Sequence, residues 1–538
     1  MKRLTIPTLT DSQKILVAMA VIPALTVYWF GQITFFIDSH TYALNGYYLF
    51  DPMNGCNYYW RTFGYPLALA LTGVRWLGSF EGILLLQALA AMVMPWMLYR
   101  MLRLLSESFA FWATLLLSVS LLPNLFQDTI YPDQLQVCLG FIVSYYAVRA
   151  VLHPSLAAFR RVMIWIGIIM FFRPTLLAFY GVLPLLCWYS ARHAKRQDGA
   201  VRPYLQMLAI GTLCIATAQM GHAMLNAQVF QRCAEENKGA IPDQYSMLGK
   251  QLFVNAYLYS YGIDDIFSAQ TGAATGELAE GIYDFMHSDG MLARIREQQH
   301  LPKLRELQES GQKKGLADYV LTHPHHDYFW LIYFTPVADS IFRDASLEMY
   351  WSHPTIIARV LWFSWNGFTY GEQGLLQDGA DLRYLYLVPN FSPAWIILDP
   401  NYKILPPALA DELRGHLQYR YISQETSDLI NVWWTALFAW IAQLVMWLAA
   451  IGVFLLPLLY AMPKARREFA VSAPMLAVCE GLLWLHVLPL MLMTIPMVRY
   501  QSEAVITAVP AAAVTAWVLW CLFSPLPKPC VDKTFPPP

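Results

Sequence analysis

The chain has 538 residues, of which 57% are hydrophobic and only 14% are charged, and its mean hydropathy is +0.39. Because soluble domains are close to one quarter charged, this composition excludes a soluble globular protein and indicates a polytopic membrane protein. The formal net charge of −1 comes without a basic stripe, so nothing indicates a nucleic-acid partner.

Apolar segments of roughly 20 residues, the length that crosses about 30 Å of hydrocarbon, recur along the chain. The first follows the basic N-terminus "MKRLTIPTLTDSQK" and lacks a small-residue cleavage site, which favours an uncleaved signal anchor. The segment "GYPLALALTGVRWLG" is too short and too broken by Gly and Pro to span, so we expect it to be interfacial or re-entrant. The pattern predicts about 10–11 transmembrane helices, with these candidate spans: 15–37, 80–99, 109–126, 133–152, 162–172, 175–190, 204–228, 429–460, 474–497 and 503–523.

The distribution of Lys and Arg predicts the orientation of these spans. With the N-terminus in the cytoplasm, the short outer loops contain only Arg61, Arg173 and Arg499. Basic residues on the outer face are therefore candidates for binding an anion. The inner loops receive the larger set: Arg100, Arg103, Arg149, Arg160, Arg161, Arg192, Lys195, Arg196, Arg202, Lys464, Arg466 and Arg467.

The number of predicted spans before the less hydrophobic region 229–428 places this region on the extracytoplasmic side of the membrane. Within it, "TIIARVLWFSWNGF" is apolar, but counting it as a span would place "PKARR" outside, so we predict an interfacial helix. The expected organisation is an N-terminal transmembrane catalytic core (1–228), a mainly helical extracytoplasmic domain (229–428), and C-terminal transmembrane helices with a short cytoplasmic tail (429–538). The fold class is all-α.

The eight cysteines show no C-x-x-C spacing, so neither a zinc site nor a redox motif is indicated. Cys56 and Cys233 are the two predicted to lie outside, where either a disulfide or two free thiols is compatible with the sequence. The segment "HPHHDY" contains metal-ligand residue types without the i, i+4 spacing of a helical ligand pair, and we predict the N-terminus of a helix there.

Acidic residues concentrate at the outer membrane boundary. Asp38 ends the first apolar segment in "FFIDSHTYALNGYYLF"; in "NLFQDTIYPDQLQV", Asp128 precedes the fourth span and Asp133 begins it. Taken alone, Asp38 is equally compatible with an interfacial residue that ends a helix. Together with Arg61 of "YYWRTFGYPLALAL", the three acids favour a functional site at this boundary.

These residues resemble the GT-C superfamily of polytopic glycosyltransferases. The similar features are the acid of the first outer loop followed by Tyr, the "RTFGYP" signature, the acid before the fourth span and the late "VRYQSEAVITAVPAAA". The branch most resembled contains the bacterial relatives of protein O-mannosyltransferases and of the aminoarabinose transferase that modifies lipid A. Phe63 departs from the signature, since relatives commonly have proline there, and the outer region matches only loosely through "VLTHPHHDYFWLIYF".

The resemblance implies inverting transfer of a sugar from a polyprenyl-phosphate donor to an acceptor on the outer face, either a lipid, a glycan or a protein. An attacking hydroxyl must lose its proton, and a carboxylate within hydrogen-bond reach acts as general base. Asp38 matches the acid to which the family assigns that role. Asp133 matches a second acid that orients the acceptor or the sugar, which makes both residues candidate catalytic groups.

The leaving group in such a reaction is a lipid phosphate, which the planar fork of Arg binds well. Arg499, which matches the late Arg-Tyr of the family, ranks first as a donor-phosphate contact, ahead of Arg61 and Arg173. The alternative for each is an Arg that reaches toward lipid headgroups. A further set, His40, Tyr42 and Tyr65, is predicted to line the sugar or acceptor pocket, although interfacial Tyr residues are common.

A divalent cation is a competing use for the clustered acids, since some GT-C branches need one, but the branch resembled here implies no metal and no cofactor. The expected location is the cytoplasmic (inner) membrane of a bacterium, with the site facing the periplasm. Two alternatives remain open: a transporter or flippase of lipid-linked sugar, and a polysaccharide polymerase or ligase. Transporters usually place polar residues near the midplane and often contain inverted repeats, neither of which the sequence indicates. The early Asp38 and "RTFGYP" argue against a polymerase.

Overall fold

A computed structural model describes most of the chain. The described residues are 10–30, 33, 39–50, 63–196, 200–236, 248–260, 262–263, 266–288, 306–307, 309–311, 335, 337–370, 406–418, 424–493 and 498–524. These residues are mainly helical, with no strand among them, which confirms the all-α fold class.

The helices follow one another with short connections. In chain order they are α1 (Asp11–Phe30), α2 (Ser39–Tyr47), α3 (Gly64–Leu71), α4 (Val74–Leu77), α5 (Glu81–Leu102), α6 (Glu107–Val119), α7 (Asp133–Leu152), α8 (Leu156–Ile169), α9 (Val182–Arg196), α10 (Arg202–Glu236), α11 (Leu248–Leu258), α12 (Ala273–Met286), α13 (Asp339–Ser352), α14 (Pro354–Tyr370), α15 (Pro407–Gln418), α16 (Gln424–Ala461), α17 (Pro463–Glu468), α18 (Ser472–Met493) and α19 (Val498–Phe523).

Seven segments of the described helices are long and apolar enough to cross a membrane: Asp11–Trp29, Glu81–Leu102, Asp133–Leu152, Arg202–Met224, Trp440–Ala461, Ser472–Leu492 and Glu503–Phe523. Each coincides with a predicted span. The other three predicted spans form shorter helices, since α6, α8 and α9 have 13, 14 and 15 residues. The proline of "FFRP" starts a 3-10 helix, Pro174–Gly181, that leads into α9.

The segment "GYPLALALTGVRWLG" divides into α3 and α4, which are too short to span. The break occurs at Gly73, whose φ of +90° is accessible to glycine at no steric cost. This agrees with the expectation that the segment is not a full crossing.

The chain separates into two compact units. The first comprises Met1–Leu225, Phe368–Val487 and Val498–Pro538. Within it, α5 packs against α1, α6 and α7, while α16 packs against α19. Helix α7 is buried around its whole circumference, including the polar side chains of Gln134 and Gln136. An all-round buried helix of this kind is typical of the centre of a helical membrane bundle.

The second unit comprises Asn226–Gly367 and Leu488–Met497. Its described core is formed by α11, α12 and α13, with Phe253, Leu278 and Phe342 fully buried in it. Its described residues are mainly helical, while its position outside the membrane stays a prediction. The predicted domain boundaries at 228/229 and 428/429 stay predictions, and so does the interfacial position of α14, which contains "TIIARVLWFSWNGF".

Candidate active site

A buried cation lies between two carboxylates at the ends of three segments of the first unit. Arg173, in extended backbone just before the 3-10 helix, donates through Nη2 to Asp133 Oδ1 and through Nη1 to Glu503 Oε2. Asp133 begins α7 and Glu503 lies in the second turn of α19. Both carboxylates are completely buried and Arg173 is 6% exposed. Buried charges persist when they are paired and hydrogen-bonded, as they are here.

Polar groups from two membrane helices complete the surroundings of Glu503. Gln136, one turn after Asp133 in α7, donates to Glu503 Oε1. His486 of α18 places Nε2 at 3.0 Å from the same oxygen. The ring of His486 in turn has an edge contact with Phe179, with centroids 6.0 Å apart. Glu503 therefore lies between the start of α7, α18 and the Arg173 segment.

The "RTFGYP" signature is attached to the same region through its glycine. The amide of Gly64 donates to the carbonyl of Phe171, at 2.8 Å, two residues before Arg173. A Cβ at position 64 would lie only 2.8 Å from that oxygen, so the close approach of the two backbones requires glycine. This contact brings Tyr65, the next residue, into the region of Asp133.

Tyr65 is fully buried, and its hydroxyl donates to Gln87 Oε1 at 2.9 Å. Burial raises the pKa of Tyr65 well above its ordinary value, and the negative charge of Asp133 acts in the same direction. The amide of Gln87 donates to the carbonyls of Gln127 and Thr129, at 2.7 and 2.9 Å. The phenol is therefore a neutral hydrogen-bond donor in a fixed position.

Tyr42 of α2 belongs to an aromatic group beside Tyr65. Its ring has edge contacts with Tyr65 and Tyr131, with centroids 5.5 and 5.1 Å apart. Of the predicted pocket residues, Tyr42 and Tyr65 are thus adjacent, which is what a common pocket requires.

The third acid singled out in the sequence, Asp128, lies in a turn before α7.

An apolar cavity of about 660 Å³ adjoins these residues. Its lining includes Gly64, immediately before Tyr65, and Phe172, immediately before Arg173, together with Leu67, Ile168 and His222. The cavity therefore shares two chain segments with the charged cluster. Its apolar surface suits a hydrocarbon chain.

The structure brings together Asp133, Arg173, Tyr42 and Tyr65 among the predicted site residues. Asp38, Arg61 and Cys56 lie outside the described residues. His40 belongs to α2, Arg499 to α19 and Cys233 to α10, but their side chains are outside the described part. The roles of these residues stay predictions, as does the absence of a metal.

Sequence reasoning missed Glu503, His486 and Gln136. The sequence contained a signal for Glu503, because this residue begins a predicted span at the predicted outer membrane boundary, as Asp133 does. His486 is an ionisable residue inside a predicted span. Burying such a residue in hydrocarbon is unfavourable in free energy, so it usually has a functional role. The same criterion that selected Asp38 and Asp133 would have selected Glu503.

The fold and the cluster around Arg173 define a polytopic helical membrane protein. Its charged site lies near the starts of α7 and α19. Residues 67–220 match the family model described as dolichyl-phosphate-mannose-protein mannosyltransferase. The matched segment extends from α3 to α10 and contains Asp133 and Arg173. The match confirms the resemblance to the GT-C superfamily and the prediction of a membrane glycosyltransferase, while the bacterial branch stays a prediction. No curated protein and no solved structure matches the chain.

Proposed function

We propose that the protein transfers a sugar, with inversion, from a polyprenyl-phosphate donor to an acceptor on the outer face of a bacterial cytoplasmic membrane. The observation that carries this proposal is the buried pair of Arg173 and Asp133 inside the segment that matches a mannosyltransferase family. The family description names a dolichyl-phosphate donor, which is a polyprenyl phosphate. The acceptor is a lipid, a glycan or a protein.

In this proposal Asp38 is the general base that takes the proton of the attacking hydroxyl. Asp133, held by Arg173, orients the acceptor or the sugar, and Tyr42 and Tyr65 line the pocket. The apolar cavity beside Phe172 accommodates part of the donor's hydrocarbon chain. These assignments are supported by the resemblance for Asp38 and by adjacency in the structure for the others.

Arg499 and Arg61 are assigned to bind the leaving phosphate. Their resemblance to family positions and their predicted place on the outer face favour this role. Preorganised cations of this kind stabilise developing charge best in poorly solvated sites. Arg173 already contacts two carboxylates, so its role as a third phosphate contact has less support. The match to a glycosyltransferase family favours transfer over the transporter alternative.

The first test is transfer of radiolabelled sugar from membrane polyprenyl-phosphate pools. Asp38→Asn removes the base with little change in shape, and we expect transfer to fall by about 10²–10⁴-fold, the range typical of general base catalysis. The matched control is Asp11→Asn, at the exposed start of α1, which should transfer like the wild type.

The labelled product identifies the acceptor class and separates the alternatives. A glycan that grows by whole repeat units would indicate a polymerase, and movement of the lipid-linked sugar without a new glycosidic bond would indicate a flippase. Full activity of Asp38→Asn would return Asp38 to the role of an interfacial residue.

A further inference from the structure

The two carboxylates around Arg173 restrict what its guanidinium does. Both of its terminal nitrogens donate to carboxylates, and these carboxylates are completely buried. A phosphate on Arg173 would lie beside two like charges, which is unfavourable in a poorly solvated site. The contacts therefore fit a guanidinium that holds carboxylates in place better than one that receives a phosphate.

Glu503 is attached to the helix that carries Asp133 by two routes. One route passes through Arg173 to the Asp133 carboxylate itself. The other passes through Gln136, one turn further along α7. The two routes close a ring that includes the first turn of α7, and His486 Nε2 of α18 lies 3.0 Å from Glu503 Oε1.

We propose that Glu503 is a positioning residue: it holds Arg173, and Arg173 in turn fixes the orientation of the Asp133 carboxylate at the outer end of α7. The catalytic part of this inference rests on the proposed transferase function. It assigns Arg173 to the orientation of Asp133 and leaves the donor phosphate to Arg499 and Arg61.

The ring needs two acceptor oxygens at position 503. Oε2 accepts from Arg173 and Oε1 accepts from Gln136. An alanine removes both acceptors, whereas a glutamine keeps one and adds two N–H donors. Gln136 can meet one of these donors by rotating its amide, because its Oε1 is buried without a hydrogen-bond partner among the described residues. Glu503→Gln should therefore preserve much of the geometry that Glu503→Ala loses.

The kinetic test measures kcat and the donor KM for sugar transfer by the full chain in lipid nanodiscs. We expect Glu503→Ala to lower kcat by about 100-fold, the scale of a small misplacement of reacting groups, and to leave the donor KM unchanged. Glu503→Gln should recover most of that kcat. A raised donor KM with an unchanged kcat would overturn the proposal, because it would assign this charge to donor binding.

Glu480 provides the matched control. It is another buried glutamate, on α18, 2% exposed, and accepts a hydrogen bond from Trp484 at 3.0 Å. Among the described residues, no hydrogen bond or ion pair joins it to the ring around Arg173. Glu480→Ala and Glu480→Gln should retain the kcat of the wild type. If substitutions at positions 480 and 503 lowered kcat equally, the loss of any buried carboxylate would have the same effect. That result would contradict a specific positioning role for Glu503.

A second measurement tests whether Glu503 stabilises the ring around Arg173, and it does not depend on sugar transfer. Amide hydrogen exchange of the full chain in nanodiscs should become faster in Glu503→Ala across the first turns of α7 and around Arg173, and should stay unchanged there in the Glu480 variants. Unchanged exchange in Glu503→Ala overturns the proposal. A wild-type chain that transfers no polyprenyl-phosphate sugar counts against the proposed function, while the exchange result still decides whether the ring holds α7.

Discussion

Lys250 shows how a single buried charge makes part of the molecule sensitive to pH. Its side chain in α11 is buried, with Nζ donating to the carbonyl of Thr335 at 2.9 Å and lying 5.4 Å from the ring centre of Phe342. Burial lowers the pKa of Lys250 to about 8, although the charge of Asp339 opposes the shift. In the unfolded chain the lysine has its ordinary pKa of about 10.4.

The direction of the effect on stability follows from these two values. Below pH 8 both states carry the proton, and the folded state contains a buried ammonium. Between about pH 8 and 10.4 only the unfolded chain holds the proton, so the free energy of unfolding rises with pH in that window. Lys250→Met should abolish this rise. Amide exchange of α11 peptides, corrected for intrinsic exchange at each pH, measures it.

Arg343→Met is the control for that experiment. Arg343 is exposed in the same unit and its contact with Asp344 raises the pKa of its guanidinium, so it stays charged throughout the window. The control should show the same pH dependence as the wild type. Coincident pH profiles for the wild type and Lys250→Met would show that Lys250 does not cause the dependence.

At the level of elements, the contact between α3 and the Arg173 segment depends on Gly64. The backbone of Gly64 is in ordinary conformation, so the requirement is space: a Cβ would lie 2.8 Å from the carbonyl oxygen of Phe171. We expect Gly64→Ala to separate the two segments, to lower the free energy of unfolding by about 1–3 kcal/mol and to reduce sugar transfer. Thermal denaturation of the purified chain and the transfer assay measure the two effects.

Gly167→Ala in α8 is the matched substitution. Its Cβ would lie 3.7 Å from the nearest atom of Ile215, an ordinary contact. Alanine is favoured over glycine in a helix interior by about 0.5–1 kcal/mol, so this variant should be at least as stable as the wild type. If both glycine variants behaved alike, the close approach at Gly64 would not be the cause.

Helix positions were predictable because the length of an apolar run is local information. The predicted spans 133–152 and 503–523 reappear as Asp133–Leu152 and Glu503–Phe523. The ion pair of Arg173 and Glu503 was not predictable in the same way, since it joins residues 330 positions apart. Such a pair depends on which faces of the helices meet, and α7, buried on all sides, has no polar face that would indicate its neighbours.

At the level of the whole molecule, the cluster around Arg173 constrains the topology. Arg173 and Glu503 are in contact, so they lie on the same side of the membrane. Four predicted spans separate them, namely 175–190, 204–228, 429–460 and 474–497, and an even number returns the chain to the same side. A fifth crossing by α14 would place them on opposite sides. The contact therefore favours an interfacial α14, as its sequence context predicted.

A second contact agrees with that conclusion. Glu412 of α15 accepts hydrogen bonds from the hydroxyl of Ser79, at 2.7 Å, and from the amide of Phe80, at 2.9 Å. These two residues immediately precede α5, at its outer end in the predicted orientation. In that orientation the chain is on the outer side again after α14, where the region before α14 is also predicted to lie.

Cysteine labelling tests this topology directly. In a chain whose eight native cysteines are replaced, new cysteines go to three exposed positions: Glu277→Cys in α12, before α14; Asp411→Cys in α15, after α14; and Ala157→Cys in α8, near its predicted inner end. An impermeant maleimide added to right-side-out vesicles should label positions 277 and 411, and position 157 only after permeabilisation. Labelling of 411 from the inside alone would make α14 a span. Reversal at all three positions would turn the site toward the cytoplasm, where a flipped donor would not reach it.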